Sequence, residues 1–173
     1  MKTIGLIGGM SWESSLVYYK LINTLVKEKL GGFHSCKSVM VTVDFAEIEK
    51  LQHKGDWDTL NLLMIRAAKQ LEAAGAEITV LCTNTMHLCS EAITTATNIP
   101  FLHIAQATGL AIQEIGLSKV ALLGTRFTME KDFYKTYLSE HFDIEVLVPQ
   151  KNERETIHRI IYNELVHGII NEG

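Results

Sequence analysis

A cluster of small polar side chains follows an apolar run near the middle of the chain. The run is Ile78 to Leu81, and it is followed closely by Thr83, Asn84, Thr85 and His87. Hydroxyl and amide groups can bind a small substrate, and a hydroxyl or imidazole can carry a proton. In an open α/β sheet, ligands bind outside the carboxyl ends of the strands. The pattern therefore predicts a buried strand with a small-molecule site at its end.

A second candidate segment follows the first apolar run. Residues 3–7 predict a strand, Gly8 and Gly9 predict a turn, and Ser11 is a candidate N-cap of the next helix. The glycine spacing differs from G-x-G-x-x-G, and Asp44 comes too late to be the ribose-binding acid, so a dinucleotide cofactor is not indicated. We expect the loop amides and the Ser11 hydroxyl to bind a smaller anion, such as a carboxylate.

Strand and helix patterns alternate along the chain and position these segments. Helical spacing predicts helices at residues 57–74, 129–140 and 152–170, and residues 101–104 predict a short strand that opens the second lobe. Short connections between them indicate an α/β fold with mainly parallel sheets. The sequence Asn98-Ile99-Pro100 interrupts the pattern, so we predict a first lobe at residues 1–98 and a second at 99–173. Residues 2–13 and 119–130 share the order basic residue, apolar run, glycine turn and Ser or Thr at a helix start, which suggests an internal repeat.

Bulk properties are those of an ordinary soluble protein. The 173 residues are 47% hydrophobic and 21% charged, with a net charge of -4, which gives no strong field for nucleic acid or an anionic membrane. The N-terminus shows no cleavable signal pattern, and no apolar run has the length of a bilayer span. Three cysteines without metal-type spacing fit reduced thiols, so we expect a cytoplasmic protein.

The cysteines and histidines are interpreted as structural residues. Cys82 and Cys89 are expected to pack as small hydrophobic residues, and His87 to cap or pack the start of the next helix. The other histidines lack ligand-like pairing, so no metal site is predicted.

Five segments, taken together and in this order, resemble the aspartate/glutamate racemase family, which works without pyridoxal phosphate. They are IGLIGGMSWESS (4–15), VDFAEIEKLQ (43–52), LCTNTMH (81–87), PFLHIAQAT (100–108) and ALLGTRFTM (121–129). The resemblance implies two similar Rossmann-like lobes related by a pseudo-twofold axis, with an acidic amino acid held between them. One acid/base group from each lobe would act on opposite faces of the α-carbon, with no cofactor.

The resemblance also implies the roles of individual residues. The family's first catalytic cysteine corresponds to Thr83, which stands in T-N-T where the family has C-N-T. A hydroxyl is a much weaker acid than a thiol, so Thr83 suits returning a proton better than removing one. The positions that the resemblance places around the substrate are Met10, Gln52, Asn84, Thr85 and Glu164. Without it, Gln52 and Glu164 would be read as part of a solvated polar surface.

The family's second cysteine lies in a Gly-Cys-Thr-Glu strand end, and no Gly-Cys-Thr follows residue 123. The second lobe is therefore expected to be incomplete at its C-terminus, which leaves alternatives open. One is a truncated, non-catalytic relative that binds an acidic amino acid or a protein partner; another is a lyase or isomerase acting on a dicarboxylate. The apolar face of residues 105–115, together with the resemblance, predicts a homodimer.

Overall fold

The computed structural model describes residues 1–171, which form two compact units. The first unit runs from Met1 to Leu102, and the second begins at His103. The predicted boundary between residues 98 and 99 therefore moves to residues 102 and 103. The reason is that Phe101 and Leu102 form a strand that pairs with residues 79 and 80 of the first unit.

A four-stranded parallel sheet forms the centre of the first unit. Its strands are β1 (Ile4–Gly8), β2 (Ser38–Thr42), β3 (Ile78–Leu81) and β4 (Phe101–Leu102). They lie side by side in the order β2-β1-β3-β4, and every pairing is parallel. The predicted α/β class with a mainly parallel sheet is confirmed.

Four α-helices and one 3-10 helix connect these strands. They are α1 (Trp12–Leu30), α2 (Phe45–Lys54), α3 (Trp57–Ala73), the 3-10 helix Thr85–Cys89 and α4 (Ser90–Ala96). Asp44 caps α2 by accepting the Ala46 N–H at 3.1 Å, and Asp56 caps α3 by accepting the Thr59 N–H at 3.1 Å. These caps fix where both helices begin, since each satisfies a backbone donor that has no intrahelical partner.

The core of the first unit lies between α3 and one face of the sheet. Ile7 and Leu81 belong to the same buried cluster as Leu60, Met64 and Leu71 of α3, and all five side chains are at most 1% exposed. Burying an aliphatic side chain of this size contributes about 1.5–3 kcal/mol. This cluster therefore holds the neighbouring strands β1 and β3 in a fixed position.

The strand order reverses its direction between β1 and β3. From β1 the chain moves outward to β2, and it then returns across β1 to form β3 and β4. In a parallel sheet of this kind, the crevice outside the carboxyl ends of the strands at such a switch point is the usual place for a ligand. The topology thus places a candidate site at the ends of β1 and β3.

The second unit contains a two-stranded parallel sheet. Its elements are α5 (Ile104–Glu114), β5 (Lys119–Ala121), α6 (Arg126–Glu130), α7 (Asp132–Phe142), β6 (Glu145–Leu147), α8 (Lys151–Asn163) and the 3-10 helix Leu165–His167. The helix predicted at residues 129–140 is in fact two helices, because Lys131 has an extended backbone between α6 and α7. Within residues 1–171, no helix has the length and apolar character needed to cross a membrane.

The last helix of the second unit is shorter than its apolar pattern predicts, and α5 has exposed apolar residues. The helix predicted at residues 152–170 ends at Asn163, and the following residues tighten into a 3-10 turn that ends at Gly168 with φ of +69°. On α5, Leu110 is 56% exposed, and Ile115 just after it is 68% exposed. The homodimer stays a prediction.

Candidate active site

The ends of β1 and β3 lie next to each other. Ile7 and Leu81 are register partners, and the Cys82 N–H donates to the Ile7 carbonyl oxygen at 2.9 Å, which extends the ladder by one residue. The chain then leaves the sheet at Gly8–Gly9 on one side and at Thr83 on the other. The glycine loop and the polar cluster that the sequence singles out therefore emerge from the same sheet edge.

Gly9 shapes the loop that follows β1. Its φ is +95°, a conformation that glycine adopts without the steric cost borne by other residues. A Cβ atom at this position would collide with the carbonyl oxygen of Val43. The Gly9 N–H donates to the Ser15 hydroxyl at 2.9 Å. This amide already has a partner inside the protein, so the predicted anion site has to use other donors of the loop.

Met10 and Ser11 complete the loop before α1. Met10 is 5% exposed and belongs to the core cluster, while Ser11 is half-buried with an extended backbone at the N-cap position. The peptide bond between them is cis. Ser11 occupies the predicted N-cap, but its side chain makes no capping hydrogen bond.

The three residues after Cys82 differ in their accessibility. Thr83 is half-buried, Asn84 is exposed, and Thr85 is 5% exposed. Thr83 and Asn84 therefore present their side chains at the sheet edge, whereas Thr85 lies mostly inside the first unit. A small molecule at this edge would meet the hydroxyl and the amide before it met the buried threonine.

His87 is a structural residue of this segment, as predicted. It is 1% exposed, and its ring lies 5.5 Å from the ring of Phe101, tilted by 60°. Its Nδ1 lies 2.7 Å from the carbonyl oxygen of Thr83. Because a carbonyl oxygen can only accept, Nδ1 carries the proton in this hydrogen bond.

Two serines of α1 contribute to the site, and neither is among the residues predicted from the sequence. Ser15 is 4% exposed, accepts the Gly9 N–H and donates to the Ser11 carbonyl oxygen at 3.3 Å. The Ser14 hydroxyl donates to the Cys82 carbonyl oxygen at 2.7 Å. The contact between Ser15 and Ser11 could have been predicted, because residues four apart in a helix lie on the same face. The contact between Ser14 and Cys82 joins residues far apart in sequence and leaves no such signal.

Gln52 and Glu164, both placed near the substrate by the resemblance, lie in different units. Gln52 is 3% exposed, so its interpretation as a solvated surface residue is wrong. Its Nε2 lies 3.1 Å from the Met86 sulfur, which connects α2 to the segment after Thr83. Glu164 follows α8 rather than lying within it, and its Oε2 accepts a hydrogen bond from Asn171 at 2.7 Å.

The cysteines near the site are buried and protonated. Cys82 is fully buried and Cys89 is 1% exposed, which confirms their predicted packing roles. Burial raises the pKa of each thiol to about 12, since a thiolate would lose its hydration there. Neither is a thiolate at neutral pH. Among residues 1–171, no group of three or more His, Cys, Asp or Glu side chains is placed to hold a metal ion.

Comparison with known proteins connects this site to one family. Residues 7–172 match the Asp/Glu/hydantoin racemase family. The chain belongs to this racemase family. It is also 30% identical, over 117 residues, to the broad specificity amino-acid racemase RacX of Bacillus subtilis (strain 168). That alignment covers 66% of the chain but only 45% of the Bacillus protein.

Solved structures of the racemase family share the fold. A Yersinia pestis protein assigned to the Asp/Glu racemases is 53% identical, with a TM-score of 0.91, and the alignment covers 99% of this chain and 75% of that one. An aspartate racemase homologue from Pyrococcus horikoshii OT3 is 38% identical, with a TM-score of 0.83 and coverages of 98% and 74%. The aspartate racemase of Picrophilus torridus, at 17% identity and a TM-score of 0.73, shows the fold alone, with coverages of 97% and 76%.

Proposed function

We propose that this protein is a cofactor-independent amino-acid racemase that acts on aspartate- or glutamate-like substrates. The observation that carries the proposal is the position of Thr83 and Asn84 at the carboxyl end of β3, beside the glycine loop of β1, in a chain of the racemase family. The aspartate racemase homologue from Pyrococcus horikoshii and the amino-acid racemase of Bacillus subtilis support the substrate class.

The proposed reaction begins with transfer of the α-carbon proton to a base on the face opposite Thr83, and this base afterwards releases the proton to water. The electron pair left behind spreads into the neighbouring carboxylate, which acquires the character of an enediolate with two negative oxygens. Hydrogen-bond donors aimed at these oxygens lower the barrier, because they stabilise charge that develops only in the transition state. We assign one such donor to the amide of Asn84, which is exposed, and another to the hydroxyl of Ser11, which lies at the neighbouring strand end.

Thr83 is assigned the return of the proton. Its O–H bond breaks as a new C–H bond forms at the α-carbon, and the alkoxide then takes a proton from water. A hydroxyl is a weak acid, yet an α-carbanion is basic enough to accept its proton. Racemisation needs a proton carrier on each face of the α-carbon. With a hydroxyl on one face, we expect kcat to differ between the two directions, and KM to differ in the same proportion because the equilibrium constant of a racemisation is 1.

Deuterium exchange at the α-carbon tests the proposal. The protein is incubated in D2O with each enantiomer of aspartate and glutamate, and loss of the α-proton signal is followed by NMR. We expect exchange with at least one acidic enantiomer, at a rate unaffected by hydroxylamine, which removes pyridoxal phosphate. L-Leucine, which has a side chain of similar length without the carboxylate, is the matched control and should exchange far more slowly.

Two results would contradict the proposal. If folded protein exchanges no α-proton from any of the four acidic substrates, it is not a racemase of this class. Calorimetric binding of glutamate without exchange would then identify a non-catalytic binding protein. Loss of exchange after hydroxylamine treatment would show that a carbonyl cofactor takes part.

A further inference from the structure

The two peptide groups on either side of Thr83 each accept a hydrogen bond from a buried or half-buried side chain. Ser14 donates its hydroxyl proton to the Cys82 carbonyl oxygen at 2.7 Å, on the N-terminal side of Thr83. His87 donates from Nδ1 to the Thr83 carbonyl oxygen at 2.7 Å, on the C-terminal side. The donors come from α1 and from the 3-10 helix after β3, so two separate elements hold one residue.

Both donors are themselves held in place. Ser14 lies in the first turn of α1, directly before Ser15, whose hydroxyl ties the helix to Gly9 at 2.9 Å. His87 is 1% exposed and packs against the ring of Phe101 in β4. The Cys82 N–H lies in the preceding peptide group and donates to the Ile7 carbonyl oxygen at 2.9 Å, so the backbone is also fixed directly before the first of the two peptide groups.

We infer that Ser14 and His87 are positioning residues that fix the backbone of Thr83 and so aim its hydroxyl. The catalytic part of this inference rests on the proposed function. Fixing the two peptide planes sets φ and ψ of Thr83, and the remaining freedom is χ1, which is restricted in a β-branched residue. The hydroxyl is therefore held in place before substrate binds, and a misplaced hydroxyl would protonate the carbanion slowly.

Steady-state kinetics provide the first half of the test. Ser14→Ala and His87→Leu remove one donor each, while Ser14→Thr and His87→Asn retain a donor at nearly the same place. We expect the donor-free variants to lower kcat about ten- to a hundred-fold with KM changed less than about threefold, because misplacing a catalytic group by about 1 Å can cost about a hundredfold. The donor-retaining variants should recover most of the rate. Thr24→Ala, which removes an exposed hydroxyl of α1 bonded to Lys20, is the control.

Backbone dynamics provide the second half and do not depend on activity. The Thr83 N–H belongs to the peptide group held by Ser14, and the Asn84 N–H belongs to the one held by His87. In the unmodified protein both amides should have 15N order parameters near the rigid value of about 0.85. Ser14→Ala should lower the order parameter mainly at Thr83, and His87→Leu should lower it mainly at Asn84.

The kinetics and the order parameters together distinguish failure of this inference from failure of the proposed function. The inference is wrong if both amides remain rigid in the donor-free variants, or if kcat falls no further than in Thr24→Ala. If the unmodified protein exchanges no α-proton, the proposed function fails, and the order parameters alone decide whether the two donors hold Thr83. If His87→Leu does not fold, Ser14→Ala carries the same test from the other side of Thr83.

Discussion

At the scale of single residues, Thr79 stands out in the middle of β3. Its side chain is fully buried, and among residues 1–171 its hydroxyl is one of the buried polar atoms without a hydrogen-bond partner. A hydroxyl removed from water without a new partner destabilises a protein by about 1–3 kcal/mol. Valine has nearly the same shape and no hydroxyl, and it is well suited to strands.

We therefore predict that Thr79→Val stabilises the protein by about 1 kcal/mol, as measured by urea unfolding. The matched control is Thr128→Val. Thr128 is 2% exposed, but its hydroxyl lies 3.2 Å from the hydroxyl of Thr125, so losing it should destabilise the protein by about 0.5–1.5 kcal/mol. If Thr79→Val destabilises the protein as Thr128→Val does, the hydroxyl of Thr79 is not the destabilising group.

At the scale of elements, the start of α5 depends on a histidine in a stack of rings. The Nδ1 of His103 accepts the Ala105 N–H at 3.1 Å and so caps the helix. Its ring stacks on Tyr137 at 4.4 Å, and Tyr137 stacks on His141 at 4.2 Å. Burial and the nearby His141 lower the pKa of His103 to about 4, because both disfavour its charged form. The cap requires the neutral ring, since a protonated Nδ1 cannot accept a hydrogen bond.

This lowered pKa predicts a loss of stability on acidification. Below about pH 6.5 the unfolded chain binds a proton at His103 that the folded protein does not bind until about pH 4, so stability falls as the pH is lowered between these values. His103→Asn keeps a capping side chain that does not titrate. In urea unfolding, the stability of the unmodified protein relative to this variant should decline from pH 7 to pH 4.5.

A constant difference between the two proteins over that range would contradict the prediction. His34→Asn, at an exposed position in a loop, is the matched control for replacing a histidine by asparagine. The remaining ionisable groups are common to all three proteins, so their contributions cancel in the comparison.

The elements also show which features a sequence pattern can predict. Helix α3 is predicted to within a residue, because its apolar residues recur at helical spacing and its ends carry an aspartate cap and a glycine. The sequence prediction assigns β4 to the second lobe, whereas the strand belongs to the first unit. A strand of two residues is too short to show an alternating pattern, and its pairing with β3 decides where it belongs. Lys131 separates α6 from α7 through its extended backbone, which the pattern of apolar residues does not show.

At the scale of the whole molecule, parallel strands bring distant segments of the first unit to one edge. The sequence predicts the glycine loop and the Thr83 cluster because each follows an apolar run, and parallel pairing then makes them neighbours. It does not predict the contacts made across the fold. Gln52 reaches Met86, and Ser14 reaches Cys82, through packing of helices on the sheet, and no local spacing records either contact.

The central claim is that the Thr83 hydroxyl returns the proton to the α-carbon. Thr83→Val tests it most directly, since valine keeps the shape and the χ1 restriction of threonine and removes the exchangeable proton. The measurement is the rate at which each enantiomer of glutamate and aspartate is converted to the other, followed by chiral chromatography, with circular dichroism to verify folding. We predict that Thr83→Val loses this interconversion while Thr83→Ser retains it. A folded Thr83→Val protein that interconverts the enantiomers at the unmodified rate would contradict the claim.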